Sequence, residues 1–329
     1  MTHDRSGTVM TVQGPIEPTQ MGFTLTHDHV MLDAWRFFGE PHYEVILDDV
    51  DVMAGEVALY GAAGGGTICD PTNIGIGRNP EGLLEISRRT GVNIIMGAGW
   101  YREKVYPRYI YETSTDDLAD ILVREFEDGV DGTGVRPGFI GEIGTERGAL
   151  TPANERVFRA AARAHVVTGC PIMTHTTHWG ELALEQLDVL AEEGVEAKSV
   201  IISHLGDRVG IKWWLPIADR GAWLNIDNLA FTAGYAPLSV RADNVAALCA
   251  EGYAGQVMLS NDICALDQLT LYGGAGYANV QSNFLPMLRD RGVSEEEIAV
   301  MTIENPGKAF TFTTPRPGLS RPRILAGEV

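Results

Sequence analysis

The chain is short of cysteine, short of positive charge and without any long apolar run. Its four cysteines, Cys69, Cys170, Cys249 and Cys264, are scattered with no CxxC spacing. In a chain of 329 residues that pattern excludes a disulfide framework and reads as buried thiols in a reducing compartment. Lysine and arginine number 25 against 44 aspartates and glutamates, for a formal net charge of -19. A surface of that sign repels nucleic-acid phosphates and anionic lipid, which excludes both as partners. No run is long enough to cross a bilayer, and residues 1–16 lack the apolar segment of a secretory leader. The expectation is a soluble, cytoplasmic protein.

What the chain has is material for a large core, with hydrophobic residues at 45% and charged residues at 21%. The length suits one large α/β barrel or two ordinary domains. Apolar, β-rich runs centred near Leu25, Ile68, Ile95, Ile140, Ile172, Ile202, Leu224 and Met258 alternate with helical stretches. The helices start and stop on recognisable signals. Asp48 or Asp49 caps a helix running to Ala62, Thr151-Pro152 opens another, and Gly169, Gly194 and Gly252 close three. Thr8–Val12 and Phe23–Val30 read as strands separated by a Gly14-Pro15 turn, and Trp213–Asp219 and Val280–Arg291 as helices. Gly64-Gly65-Gly66 precedes a strand and lacks a following Lys-Ser/Thr, so it reads as a turn and not as a phosphate loop. Eight βα units predict a (β/α)₈ TIM barrel spanning residues 1–312 with a short N-terminal β-hairpin, ahead of a doubly wound open sheet. Residues 313–329, with Pro315, Pro317 and Pro322, read as an extended C-terminal tail.

In a (β/α)₈ barrel the C-terminal ends of the strands carry the chemistry. His27 and His29 stand two apart, so a strand would project both from one face. Reading the other strand ends gives Glu142, His175, His204 and Asp262. Four imidazoles and two carboxylates make a ligand inventory for two divalent metal ions, with Zn²⁺ first and Mn, Co or Fe as alternatives. Two cations about 3.5–4 Å apart need a carboxylate between them. Glu142 lies on the strand between the two histidine groups and is the expected bridge.

The segments His27-Asp28-His29, Gly141-Glu142-Ile143-Gly144-Thr145, Thr174-His175-Thr176, Ser203-His204-Leu205-Gly206-Asp207 and Leu259-Ser260-Asn261-Asp262 resemble the motifs of the phosphotriesterase family of the amidohydrolase superfamily. The resemblance runs from about Thr8 to Phe310 and includes Glu304-Asn305-Pro306. It implies a distorted (β/α)₈ barrel, a homodimer, and two metals. His27, His29 and Asp262 would hold the more buried ion, and His175 and His204 the more exposed one. Two departures matter. The founding phosphotriesterase and related lactonases bridge with a carboxylated lysine, whereas Glu142 stands here, as in the phosphotriesterase homology proteins. Organophosphate hydrolases carry a histidine after strand seven and many lactonases an arginine, whereas this chain has Asn228. Asp207 matches the family's relay aspartate without its usual partner.

The expected chemistry is hydrolysis of a small-molecule carbonyl substrate, a lactone, ester or amide, by a metal-bridging hydroxide. Phosphotriester or phosphoester hydrolysis is the alternative, and a non-catalytic barrel with structural metals a lesser one. Asp262 would accept the proton and pass it to the leaving group. Tyr101 matches a tyrosine that donates to the substrate carbonyl in related lactonases, and packing against Trp100 is the other reading. Trp100, Tyr101, Asn228 and Tyr272 are the expected substrate contacts. Residues 263–277, after the last strand, would wall the pocket. His178 is either a support for His175 or a loop histidine, and Arg78 and Arg208 either meet an anionic substrate or form surface salt bridges.

Overall fold

The computed structural model describes residues 5–177, 180–231 and 233–316. Eight strands form one parallel sheet in chain order: β1 Phe23–Leu25, β2 Gly65–Asp70, β3 Asn93–Ala98, β4 Phe139–Gly144, β5 Ile172–His175, β6 Val200–Ser203, β7 Trp223–Ile226 and β8 Val257–Leu259. Helices on the outside connect them, which makes a (β/α)₈ barrel. Along each strand the residues divide between two sides. Ile94, Ile172 and Ile202 pack outward in the main core under the helices. Ile95, Met173 and Ile201, their neighbours, fill the barrel interior with Cys69, Phe139 and Met258, above a plug of Val9, Met21 and Phe310.

The seam between β1 and β8 is closed by side chains as much as by backbone. Asp28 accepts hydrogen bonds from Ser260 Oγ (2.6 Å), Asn261 N (3.1 Å) and Ile263 N (2.9 Å). Asp262 N donates to His27 O at 3.0 Å and His29 N to Ile263 O at 2.9 Å. The segment after β1 is therefore locked to the segment after β8, and both carry site residues.

Local chemistry explains the helix boundaries. Asp49 accepts from Asp51 N and Val52 N and so caps Val50–Ala62. Thr151 and Asn154 form a capping box, Pro152 takes a position whose N–H is not needed, and Gly169 ends Pro152–Thr168 at φ 75°. The glycine run is a packing device. A Cβ on Gly66 would lie 2.3 Å from Met21 O, so only glycine lets β2 pass that close to the residues before β1.

Four expectations need correction. Gly14-Pro15 does not join residues 8–12 to β1, because Gly14–Ile16 is itself a strand paired antiparallel with Val9–Thr11. β1 stops at Leu25. Beyond it, Val30 N and Met31 N donate to the Asp70 carboxylate at 2.9 and 3.2 Å, which removes them from any ladder. Trp213–Asp219 is two short turns of helix, Ile211–Trp213 and Leu215–Asp219. Val280–Arg291 opens as a wide π-type turn, Val280–Phe284, before Leu285–Arg289. Pro286 has no N–H to give Ser282 O, and its ring crowds that carbonyl, which widens the turn. The same arrangement recurs at Val300–Glu304 ahead of Pro306. Thr313 and Arg316 donate backbone N–H groups to Gly169 O (2.8 Å) and Val166 O (2.7 Å), so the chain runs past the end of that helix. The remainder of the expected tail lies outside the described residues.

Candidate metal centre

The fold brings the six sequence-predicted ligands to one end of the barrel. β1 leads into His27 and His29, β4 carries Glu142, β5 ends at His175, and β6 and β8 lead into His204 and Asp262. The turns that follow are tight. His204 and Asp262 both take left-handed backbone conformations, at φ 64° and 56°, uncommon for residues other than glycine.

Glu142 divides its two oxygens between two clusters. Its Oε2 lies 3.4 Å from His27 Nε2 and 3.7 Å from His29 Nε2. Asp262 Oδ1 lies 3.5 and 3.6 Å from the same two nitrogens. On the other side, Glu142 Oε1 is 3.1 Å from His204 Nε2 and in contact with His175 Nδ1, and those two nitrogens are 2.8 Å apart. His27, His29 and Asp262 form one group able to hold a metal ion, and Glu142, His175 and His204 another.

The first group fits an ion on two counts. Four donors about 2.0–2.1 Å from a tetrahedral cation stand about 3.4 Å from one another, and the observed separations run from 3.4 to 3.7 Å. His27 Nε2 and Glu142 Oε2 are also fully enclosed without a hydrogen-bond partner. Such orphaned atoms are costly in a dry interior and call for a ligand. In the second group three donors already converge on a common point at closer range.

Asp227, which the sequence reading missed, sets the imidazoles. Fully buried, it sits 3.1 Å from His27 Nδ1 and 3.1 Å from His204 Nδ1. Each ring therefore keeps Nε2 for the centre. Thr72 Oγ1 does the same for His29 Nδ1 at 2.7 Å. Holding the far ring nitrogen fixes tautomer and orientation. The signal in sequence was its place, a carboxylate directly after β7 at the strand-end position the other site residues share, two residues beyond the polar Asn225 of an otherwise apolar strand.

The cluster's electrostatics follow from burial opposed by neighbours. Burial would lower His204, but Asp227 raises it to about 10. His27 is likewise pushed down by burial and carried well above its usual value by Glu142 and Asp227. Burial lowers His29 and His175 to about 3. Glu142 is held well below the carboxylate range because His27 and His175 outweigh its burial. Burial raises Asp262 to about 8. A bound cation would favour the deprotonated form of each of these ligands.

A cavity of about 570 Å³ opens over the cluster. His29, Glu142, His175, His204 and Asp262 face it, and Phe37, Phe38, Ile76 and Phe231 give it apolar walls. Tyr101 and Asn228, two of the expected substrate contacts, line it. The Tyr101 ring packs edge-on to His175 at 5.2 Å, and burial raises its phenol well above the usual value, so it remains a donor. Trp100 does not reach the cavity. It is wholly buried and donates from Nε1 to Tyr109 Oη at 2.7 Å. Tyr272 also stands away, 54% exposed at the end of the turn Thr270–Tyr272. Of the loop after β8, Cys264, Ala265, Asp267 and Gln268 line the cavity instead. Arg78 is tied to Glu125 (2.7 Å) and Asp131 (2.8 Å), and Arg208 stacks on Trp213, so neither matches the anion-binding reading. Among the described residues, Arg102 and Arg147 are the arginines that line the cavity. His178 lies outside the described residues.

Fold and site together define a class: a (β/α)₈ barrel that gathers histidines and carboxylates able to hold metal at the C-terminal ends of its strands. The chain belongs to the phosphotriesterase family, whose sequence model matches residues 7–310, and is a hydrolase of that family. It is 35% identical to the phosphotriesterase homology protein of Escherichia coli, over 89% of this chain and 99% of that protein. The crystal structure of that protein, complexed with phosphate in its active site, superposes with a TM-score of 0.86 over 90% of this chain and 100% of that one. The N-acetyltaurine hydrolase of Danio rerio is 30% identical over 93% of this chain and 98% of its own length. A lactonase of Listeria monocytogenes gives a TM-score of 0.88 at 29% identity, over 93% and 100% of the two chains.

Proposed function

We propose that this protein is a binuclear-metal-dependent hydrolase of a small-molecule lactone, ester or amide. The observation that carries the reading is the division of Glu142, one oxygen toward His27, His29 and Asp262 and the other toward His175 and His204. On this reading His27, His29 and Asp262 would hold one divalent ion and His175 and His204 the other, with Glu142 shared between them. Zn²⁺ suits this nitrogen and oxygen set first, with Mn, Co or Fe as alternatives. When bound, the two ions supply Lewis acidity and a water acidified to near neutrality.

The protein's own groups do the rest. Asp262 takes the proton of the attacking water and returns it to the leaving group. Tyr101, protonated and facing the cavity, donates to the substrate carbonyl oxygen. Phe37, Phe38 and Phe231 exclude water around the acyl group. A carbonyl substrate is supported over a phosphotriester by Asn228, which replaces the histidine of organophosphate hydrolases. The named activities of the relatives include amide and lactone hydrolysis. The reading extends to a cytoplasmic homodimer, and analytical ultracentrifugation checks the oligomer.

The direct test is a panel of lactones, esters, amides and phosphotriesters assayed with metal-loaded protein and again after chelation. The reading predicts turnover of a carbonyl substrate that chelation abolishes and metal restores. Preference for the phosphotriesters would transfer the assignment to the second enzymatic reading. Turnover indifferent to chelation would remove it.

A further inference from the structure

We infer that Asn228 selects a scissile bond bearing an N–H, so that the substrate is a secondary carboxamide and not a lactone or ester. The inference rests on the proposed hydrolase reading and names the bond it cuts. Asn228 is 1% exposed and lines the same cavity as His204 and Asp262. Its Nδ2 donates to Asp207 Oδ2 at 3.0 Å. The other oxygen of Asp207 accepts from Arg241 Nε at 2.8 Å, and Arg241, wholly buried, also donates to the main-chain carbonyl of Asn228. Asp207 in this ion pair only accepts hydrogen bonds. The amide nitrogen of Asn228 must therefore face it, and the two ends of the side chain cannot be exchanged.

That leaves Asn228 Oδ1. No described residue donates to it, and it is not among the sealed polar atoms that lack a partner. The end that Asn228 turns to the cavity is consequently an acceptor, held from behind by two successive buried hydrogen bonds. Among candidate scissile bonds, a secondary amide offers an N–H to such an oxygen. The bridging oxygen of an ester or lactone offers lone pairs and meets it with repulsion. A tertiary amide offers neither. A site built to receive a hydrogen-bond donor rejects the analogue lacking one, because its own polar group is then left unpaired.

The reaction closes without another reagent. Water gives a proton to Asp262, and its oxygen forms the new bond to the carbonyl carbon. The C–N bond then breaks with its electron pair going to nitrogen, which receives the proton from Asp262. The products are a carboxylate and an amine, which is protonated in neutral water. Asn228 Oδ1 accepts the N–H that stays on nitrogen throughout. It carries no proton itself, so it determines specificity and does not relay.

Matched non-hydrolysed inhibitors test this by binding and not by turnover: a phosphonamidate (P–NH–R) and the phosphonate ester (P–O–R) with the same substituents, titrated calorimetrically into zinc-loaded protein. The wild type should bind the phosphonamidate about tenfold or more tightly than the phosphonate. In Asn228→Ala, and in the similarly shaped Asn228→Leu, the ratio should fall to within about threefold, with thermal melts verifying that each variant is folded. A wild-type ratio near unity, or a ratio unchanged in the folded variants, overturns the inference. If neither compound binds and elemental analysis finds no retained zinc, the hydrolase reading itself fails and this inference falls with it.

Discussion

Arg241 and Asp207 form an ion pair with almost no solvent contact, their side chains 0% and 1% exposed. Neither charge has water to fall back on. Replacing Arg241 with Met should therefore destabilise the fold by about 3–5 kcal/mol, because Asp207 is left buried and uncompensated. Urea unfolding of the two proteins measures this, and a loss under 1 kcal/mol would show that the pair is solvated. Asp227 works at the same scale on a different quantity. Asp227→Ala should weaken metal affinity about 10–100-fold while leaving all six expected ligands in place, read by competition with a chromophoric chelator. That these six gather at one end of the barrel was legible because each is a ligand-type residue at or beside a strand end, and that position is recoverable from the alternation of strand and helix. Asp227 and Arg241 were not. Asp227 stands at a strand end too, but its partnership with the far nitrogens of His27 and His204 is visible only in the folded barrel, and Arg241 opens no motif. Its partner Asp207 stands 34 residues away, a separation that only the folded barrel bridges. Trp100 and Tyr272 failed for a related reason. Proximity to a strand end places the backbone, while the direction of the side chain depends on contacts such as Trp100 to Tyr109.

At the level of elements, the loop after β8 is held by a helix it does not adjoin in sequence. Glu56, on Val50–Ala62, accepts from Thr270 N (3.0 Å), Thr270 Oγ1 (2.6 Å) and Leu271 N (2.9 Å). Cys264, Ala265, Asp267 and Gln268 of that loop line the cavity. Glu56→Gln exchanges an all-accepting carboxylate for an amide that cannot satisfy three donors at once. The variant should show faster amide hydrogen exchange across 264–272 and a raised KM, with the melting temperature changed by only a few degrees. Unchanged exchange there would mean that the loop is fixed by other contacts. A second tie joins helix Pro152–Thr168 to the end of Ala183–Glu192. Arg163, with Arg159, holds the Glu193 carboxyl below its ordinary value. A carboxyl with a lower pKa in the folded state adds stability above the unfolded value of about 4.5, and loses it as pH falls through the folded value. Glu193→Gln should thus flatten the decline in stability as pH falls below about 4.5 and cost stability at pH 7. An unaltered acid limb would contradict the assignment. The order of the eight barrel strands was readable from periodicity. The boundaries that were misread lie where side chains take over backbone partners, at Asp70 beyond β1, or where Pro286 interrupts a helical ladder.

Across the whole molecule, the sequence elements converge on one arrangement: a barrel whose β1 and β8 ends are locked by Asp28, with histidines from three strand ends facing a shared glutamate. Its central claim is that Glu142 unites two metal ions. Elemental analysis after metal loading tests this most directly. Wild type should retain two divalent ions per chain. Folded Glu142→Ala should retain at most one, with hydrolysis reduced about a hundredfold or more. A Glu142→Ala protein matching wild type in metal content and rate would contradict the account.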